Sequence, residues 1–255
     1  MIIFTNILDK FGFVRNSISY SSKDIGLFPN FLGIGAQKSG TTWLYENLRK
    51  HPQLYLPETK EIHFFDWYFY KSLNWYCKHF KDAKVIQIKG EVTPGYSIIS
   101  EKKIRFIKKI NSNLKIILLL RNPIERAWSH AIMNLSTIPK REINTISDEE
   151  FIAHFNHPRS KERGDYPKII SKWKKNFPNE QFFIRSYNDI KENPEKLLNE
   201  VFNFLEVNEI TNWDEYPVKK KVLPISRKSE KKEIPLNLKN YLKKLYRNDI
   251  EKLIS

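Results

Sequence analysis

FLGIGAQKSGTTWLYENLRKH, Phe31 to His51, is the stretch from which the fold is read. Its opening FLGIG is apolar or glycine throughout and reads as a buried strand. A turn rich in Gly, Ser and Thr follows. TTWLYENLRKH then carries helical spacing, with Trp43, Leu44 and Leu48 on one side. A strand running through a glycine loop into a helix N-terminus is where a parallel-sheet protein holds a phosphate, because the loop amides and the helix dipole both favour an anion there. Gly35 and Gly40 have the spacing of the nucleoside-triphosphatase loop GxxxxGK[ST], but Thr41 takes the lysine position and the only lysine, Lys38, sits inside the loop. A lysine moved there does not reach a β/γ-phosphate in the usual way, which argues against an ordinary ATPase or kinase. It can still neutralise one phosphate and the oxygen attached to it.

Outward from this unit the pattern repeats. VIQIKG (Val85 to Gly90), KIILLLR (Lys115 to Arg121) and FFIRSY (Phe182 to Tyr187) read as further strands. Ser100 to Ile110, Pro123 to Leu135, Asn193 to Leu205 and Leu236 to Leu253 read as helices, the second with Pro123 at a favoured first-turn position. Continuous apolar strands separated by helices predict an α/β fold: a single P-loop-like domain whose central parallel sheet carries helices on both faces. The expected division is an N-terminal extension, residues 1–30, and one domain over residues 31–255. Within it, residues 217–232 form a basic segment without periodicity, expected as a loop ahead of the final helix.

Composition narrows the partners. Lys and Arg number 44 against 29 Asp and Glu, a formal charge of +15, so an anionic partner is expected: nucleic acid, an acidic membrane, a phosphorylated cofactor or an acidic glycan. Nucleic-acid binding is the rival class, but no recognisable binding module appears and the charges are spread along the chain. The single cysteine, Cys77, excludes an intrachain disulfide framework and is expected as a buried small apolar side chain. No window is apolar enough for a membrane helix, and the N-terminus lacks a basic start and a cleavage site, so a cytoplasmic location is expected. No His/Cys/Asp cluster has metal-ligand spacing, and no metal is expected.

The string Lys38-Ser39-Gly40-Thr41-Thr42-Trp43 resembles the loop of the sulfotransferases that use 3′-phosphoadenosine-5′-phosphosulfate (PAPS), which reads KSGTTW in the cytosolic branch and KGGT in the Golgi heparan-sulfate branch. A second motif supports the resemblance. ILLLRNPIERAWSH follows another strand and places Ser129 eight positions after Arg121, the separation of the Arg and Ser that hold the 3′-phosphate in that family. The chemistry suits the residues: Arg121 can grip a phosphate bidentately, and a hydroxyl on the following helix adds a donor.

The resemblance implies PAPS as sulfate donor. Lys38, Ser39, Gly40, Thr41 and Thr42 would hold its 5′-phosphate, and Arg121 and Ser129 its 3′-phosphate. The late basic loop, residues 217–232, stands where that family closes over the nucleotide, so Arg227 and Lys228 would come from it, with Lys219, Lys220 and Lys221 as competitors. KEIHFFDWY (Lys60 to Tyr68) is similar to the heparan-sulfate branch, where the equivalent string carries the catalytic glutamate. By that likeness Glu61 is the general base, His63 the alternative base, and Asp66, Trp67 and Glu91 contact the acceptor. KGEVTPGY, after the next strand, has no histidine and resembles the polysaccharide branch. RGDYPKIISKWKKNFPNEQFFIRSYNDI extends the likeness with lower specificity. Val92 stands where heparan-sulfate enzymes often carry a lysine, and Thr42 replaces an arginine of that branch, so the likeness stops short of assigning heparan sulfate itself. It implies sulfuryl transfer to a hydroxyl or amine of an acceptor, a glycan or small hydroxyl compound. A family member that binds PAPS without catalysis is the further alternative.

Overall fold

The computed structural model describes residues 7–8, 14–15, 22–218 and 233–247, with side chains from residue 25 onward. Five strands form one parallel sheet: β1 (Phe31–Gly35), β2 (Leu54–Tyr55), β3 (Ile88–Val92), β4 (Lys115–Leu120) and β5 (Phe182–Ser186), in the order β2-β3-β1-β4-β5. All of β1 is buried, and its side chains alternate between two apolar layers. Phe31 faces Trp43, Leu44, Ile117, Leu119 and Phe202, whereas Leu32 and Ile34 face Phe64, Tyr76, Ile104, Ile116 and Leu118. The period of 2 along a strand thus feeds both cores at once, which is why these strands are continuously apolar.

Helices α1 (Thr41–Leu48) and α7 (Pro194–Leu205) cover the first layer. Helices α2 (Leu73–Cys77), α3 (Glu101–Ile110) and α6 (Tyr166–Lys174) cover the second. A third cluster joins α4 (Pro123–Ile132), α5 (Asp148–Asn156) and α8 (Leu236–Leu245) through Trp128, Phe151, Phe155, Leu238 and Tyr246. The α/β fold with helices on both faces is therefore as the sequence predicts, and Cys77 is buried in the core.

Several boundaries differ from expectation. The strand predicted from Val85 starts at Ile88, because Val85 and Ile86 protrude into solvent in the preceding turn, and it runs on to Val92. Helix α4 ends at Ile132 and continues as a π-turn, Met133–Thr137, instead of remaining α-helical to Leu135. The domain's packing begins before Phe31: Phe28 is buried against Phe65 and Tyr76, and the main chain of Asn30 pairs with both Lys89 and Lys115. Residues 219–232 and 248–255 lie outside the described residues. That covers most of the expected closing loop, with Lys219, Lys220, Lys221, Arg227 and Lys228, and the last part of the predicted C-terminal helix.

The strand order places the site. From β1 the chain moves to one side of the sheet, to β2 and β3, and then returns to β4 and β5 on the other. The carboxyl ends of β1 and β4 are thus adjacent at the point where the order reverses, the place where open α/β sheets bind ligands.

Candidate active site

The loop after β1 is held from both sides. Ala36 donates to the main-chain oxygen of Leu119 at 2.8 Å, and Ser39 donates to Ala36 at 3.1 Å, closing a tight turn against β4. Gly40 has φ 87°, and a Cβ there would lie 2.4 Å from Ile190 Cδ1 and 3.1 Å from the Tyr187 ring. Only glycine fits that position. Gly40 also lacks a side chain to cap α1, so the first-turn amides of Thr41 and Thr42 are offered to whatever occupies the loop. Thr41 and Ser39 are buried and Thr42 half-buried, and the Ser39 side chain interacts with Tyr166.

Arg121 stands at the end of β4, next to this loop. Its Nη1 donates to the Lys38 main-chain oxygen at 3.1 Å, while Nε and Nη2 donate to Glu125 Oε2 at 3.2 and 3.0 Å. The guanidinium lies 4.7 Å over the Tyr187 ring, and the Tyr166 hydroxyl donates to the Arg121 main-chain oxygen at 2.8 Å. Asn122 accepts from the Ile124 and Glu125 amides and so starts α4, with Pro123 at its first turn. Helix α4 then carries Ser129, half-buried, two turns on.

The segment expected to carry the base, Lys60 to Tyr68, lies between β2 and α2. Glu61 and His63 both adopt left-handed backbone conformations, φ 63° and 56°. Glu61 Oε1 contacts Lys60 Nζ, and Glu61 Oε2 lies 3.4 Å from His63 Nε2. On its other side His63 meets Asp66 Oδ2 through Nδ1 at 2.8 Å. The imidazole is stacked on Trp67, with centroids 3.7 Å apart and an interplanar angle of 8°; Trp67 itself is 60% exposed. Burial disfavours charge on both groups, but the mutual hydrogen bonds dominate. His63 and Lys60 hold Glu61 down to about 2, and Asp66 and Glu61 raise His63 to about 9. At neutral pH the pair is therefore carboxylate and imidazolium.

Beneath the segment is Glu91, fully buried on β3. Its Oε1 accepts from the Tyr76 and Tyr96 hydroxyls at 2.5 and 2.9 Å, and its Oε2 accepts from Thr93 Oγ1 at 2.7 Å. The Ile62 amide also bonds to it. The Tyr96 oxygen in turn accepts from the Phe64 amide at 2.9 Å. Burial pushes Glu91 up to about 6 against these stabilising bonds. The expectation that Glu91 meets the acceptor is corrected here. Its carboxylate is committed to the underside of the Glu61–Asp66 segment and fixes that segment's main chain through Ile62 and Tyr96. The turn after β3 completes the link: a Cβ on Gly95 would lie 2.1 Å from Asp66 Oδ2, and one on Gly35 would lie 3.2 Å from Ser97.

The structure thus brings Lys38, Arg121 and the loop amides together, and it groups Glu61, His63, Asp66 and Trp67. Arg227 and Lys228 fall outside the described residues. The sequence reading missed Tyr166, Tyr187, Arg126 and Arg163, which brace or border the site. Arg126 was legible in principle, since it lies three residues before Ser129 on the same helix.

The chain's similarities to known proteins agree with this geometry. The family described as "Sulfotransferase domain" matches residues 29–253. A membrane-associated sulfotransferase, kil1, of Dictyostelium discoideum is 41% identical over 104 residues, 40% of this chain and 22% of that protein. The heparan sulfate glucosamine 3-O-sulfotransferase 3B1 of Mus musculus is 31% identical over 206 residues, 79% of this chain and 52% of that protein. The chain therefore spans between about a fifth and a half of the length of these relatives. A solved sulfotransferase from Alicyclobacillus acidocaldarius shares the fold with a TM-score of 0.68 at 24% identity, over 89% of this chain and 94% of that one. Among the described residues no helix is long and apolar enough to cross a membrane.

Proposed function

The chain belongs to the sulfotransferase domain family, and from that premise we propose that it transfers a sulfuryl group from PAPS to a hydroxyl or amine of a carbohydrate acceptor. The observation that carries the reading is the adjacency of the β1 loop and Arg121, joined through the Lys38 main chain. Two anion-binding elements so placed suit a nucleotide that bears phosphates at both ends of its ribose.

The residues fit such a donor. The buried Ser39 hydroxyl, the uncapped start of α1 and the threonines Thr41 and Thr42 would hold the 5′-phosphate. Arg121 and Ser129 would hold the 3′-phosphate, selecting the bisphosphate over ATP. Bound there, PAPS supplies a sulfuryl group already activated on a phosphate leaving group.

Lys38 would donate to the donor oxygen on which negative charge builds as the sulfuryl group leaves. Glu61 accepts the acceptor's proton, because it is the unprotonated member of the pair at neutral pH. His63 is the imidazolium that holds the Glu61 carboxylate in place, with Asp66 fixing the opposite ring nitrogen. Trp67 offers an exposed aromatic face beside them on which a sugar can stack. The glycan assignment draws on that face and on the likeness to 3-O-sulfotransferases.

The test is transfer itself. The chain is incubated with PAPS and with desulfated glucosamine or galactosamine oligosaccharides, and the sugars are weighed for added sulfate. Sulfate gained by a glycan supports the proposal. Transfer only to small phenols would overturn the acceptor class, and no transfer to any acceptor would overturn the activity.

A further inference from the structure

A group of cations lies behind the site, on the inner side of α4. Arg126 is completely buried. Its Nη2 donates to the Ser160 main-chain oxygen at 3.0 Å and to the Tyr246 hydroxyl at 3.3 Å, but Nε and Nη1 have no partner. Arg163 is half-buried, and its buried Nη1 likewise has no partner. The two arginines meet around Gly164, where a Cβ would lie 3.2 Å from Arg126 Nη2. A buried guanidinium left with open donors and no carboxylate is costly, and such groups are normally satisfied.

The surroundings supply little negative charge to offset these cations. The Asn134 amide bridges His130 Nε2 and His154 Nε2 at 3.2 and 3.0 Å. Burial first, and Arg126 next, hold His130 down to about 2 and His154 to about 4, so both rings are neutral. Lys38 also lowers His130, as the last of these effects. The acids facing Arg163 are Asp66, already engaged by His63, and Glu162.

We propose that the open donors of Arg126 and Arg163 form an oxyanion site beside Lys38 that takes a sulfate- or phosphate-type group. Two sources share that chemistry: a charged group of the donor, or an acidic group already present on the acceptor. Arg163 forms the solvent-facing side of the site and Arg126 its inner wall. The proposal rests on the sulfotransferase reading only for its role; anion binding is read without any nucleotide.

The probe is inorganic sulfate, titrated into the full chain at matched ionic strength against chloride and followed by calorimetry. Saturable binding is expected in the wild type. It should survive Arg121→Ala and weaken at least about ten-fold in Arg163→Gln, the loss of one charge-assisted hydrogen-bond partner. Because Arg126→Gln risks misfolding, Arg163→Gln, at a half-buried position, is the deciding variant. Repeating the titration with 3′-phosphoadenosine-5′-phosphate (PAP) bound separates the sources. Displacement of the Arg163-dependent sulfate assigns the site to the donor's phosphates, whereas its simultaneous binding with PAP assigns the site to an acidic group on the acceptor. Sulfate binding that is absent in the wild type, or equal in the wild type and folded Arg163→Gln, would overturn the proposal. Neither result bears on whether PAP binds at Arg121.

Discussion

Arg121 Nη1 donates to the main-chain oxygen of Lys38 at 3.1 Å, so a side chain at the end of β4 fixes the loop that ends β1. The two stretches are 83 residues apart in sequence and meet because their strands are neighbours. Arg121 therefore braces the loop, and under the proposed function it also contacts a phosphate. Arg121→Lys keeps the charge but lacks the forked donors, and should lower bisphosphate affinity about ten-fold or more. Arg121→Ala should lower it further. Titration of PAP into each variant checks the order.

Gly40→Ala should be worse than its size suggests. The new methyl group enters a left-handed backbone position and meets Ile190 Cδ1. A cost of about 1–3 kcal/mol is expected from strain and overpacking, with loss of nucleotide binding. Urea unfolding of wild type and variant measures the first, and nucleotide titration the second.

The pH profile separates the two base assignments. Glu61 is held at about 2 and His63 at about 9. If Glu61 takes the proton, kcat/KM is flat between pH 6 and 8 and falls only as His63 loses its proton above about 9. If His63 takes it, kcat/KM rises about ten-fold per pH unit over the same window, since only the neutral ring can act. Glu61→Gln should then lower kcat by about a hundred-fold while leaving PAP affinity near the wild-type value.

Glu91 makes a separate prediction about stability. Its folded pKa, raised to about 6, favours the protonated form in the fold. Its contribution is therefore fully present below the unfolded value near 4.5 and is lost as pH rises through 6. Glu91→Gln should remove that component of the slope in unfolding experiments run from pH 4 to 7. Tyr96→Phe, which strips a donor from Glu91 and an acceptor from the Phe64 amide, should cost about 1–3 kcal/mol and lower turnover by loosening the base segment.

Much of this was legible in the residues. The β1 loop, the strands at Lys115 and Phe182 and the helix from Glu101 follow from apolar spacing and glycine placement, and the Arg121–Ser129 pair follows from its position after a strand. Three things were not. Glu91 looks like a site residue in KGEVTPGY, because nothing local reveals that Tyr76 and Tyr96 close over it. Val85 and Ile86 mimic a strand start, because apolar character alone does not distinguish an exposed turn from a buried edge. Nothing in the sequence singles out Arg126 and Arg163 as buried, because only tertiary packing buries a guanidinium. The Ser147–Glu150 capping box before α5 is a helix signal readable in the residues alone.

The central claim is that the β1 loop and Arg121 form one donor site, and calorimetry of PAP against ADP and ATP without metal tests it most directly. The account predicts micromolar binding of PAP, far weaker binding of the other two, and loss of the preference in Arg121→Ala. Equal affinity for all three nucleotides, or a PAP affinity unchanged by Arg121→Ala, would contradict it.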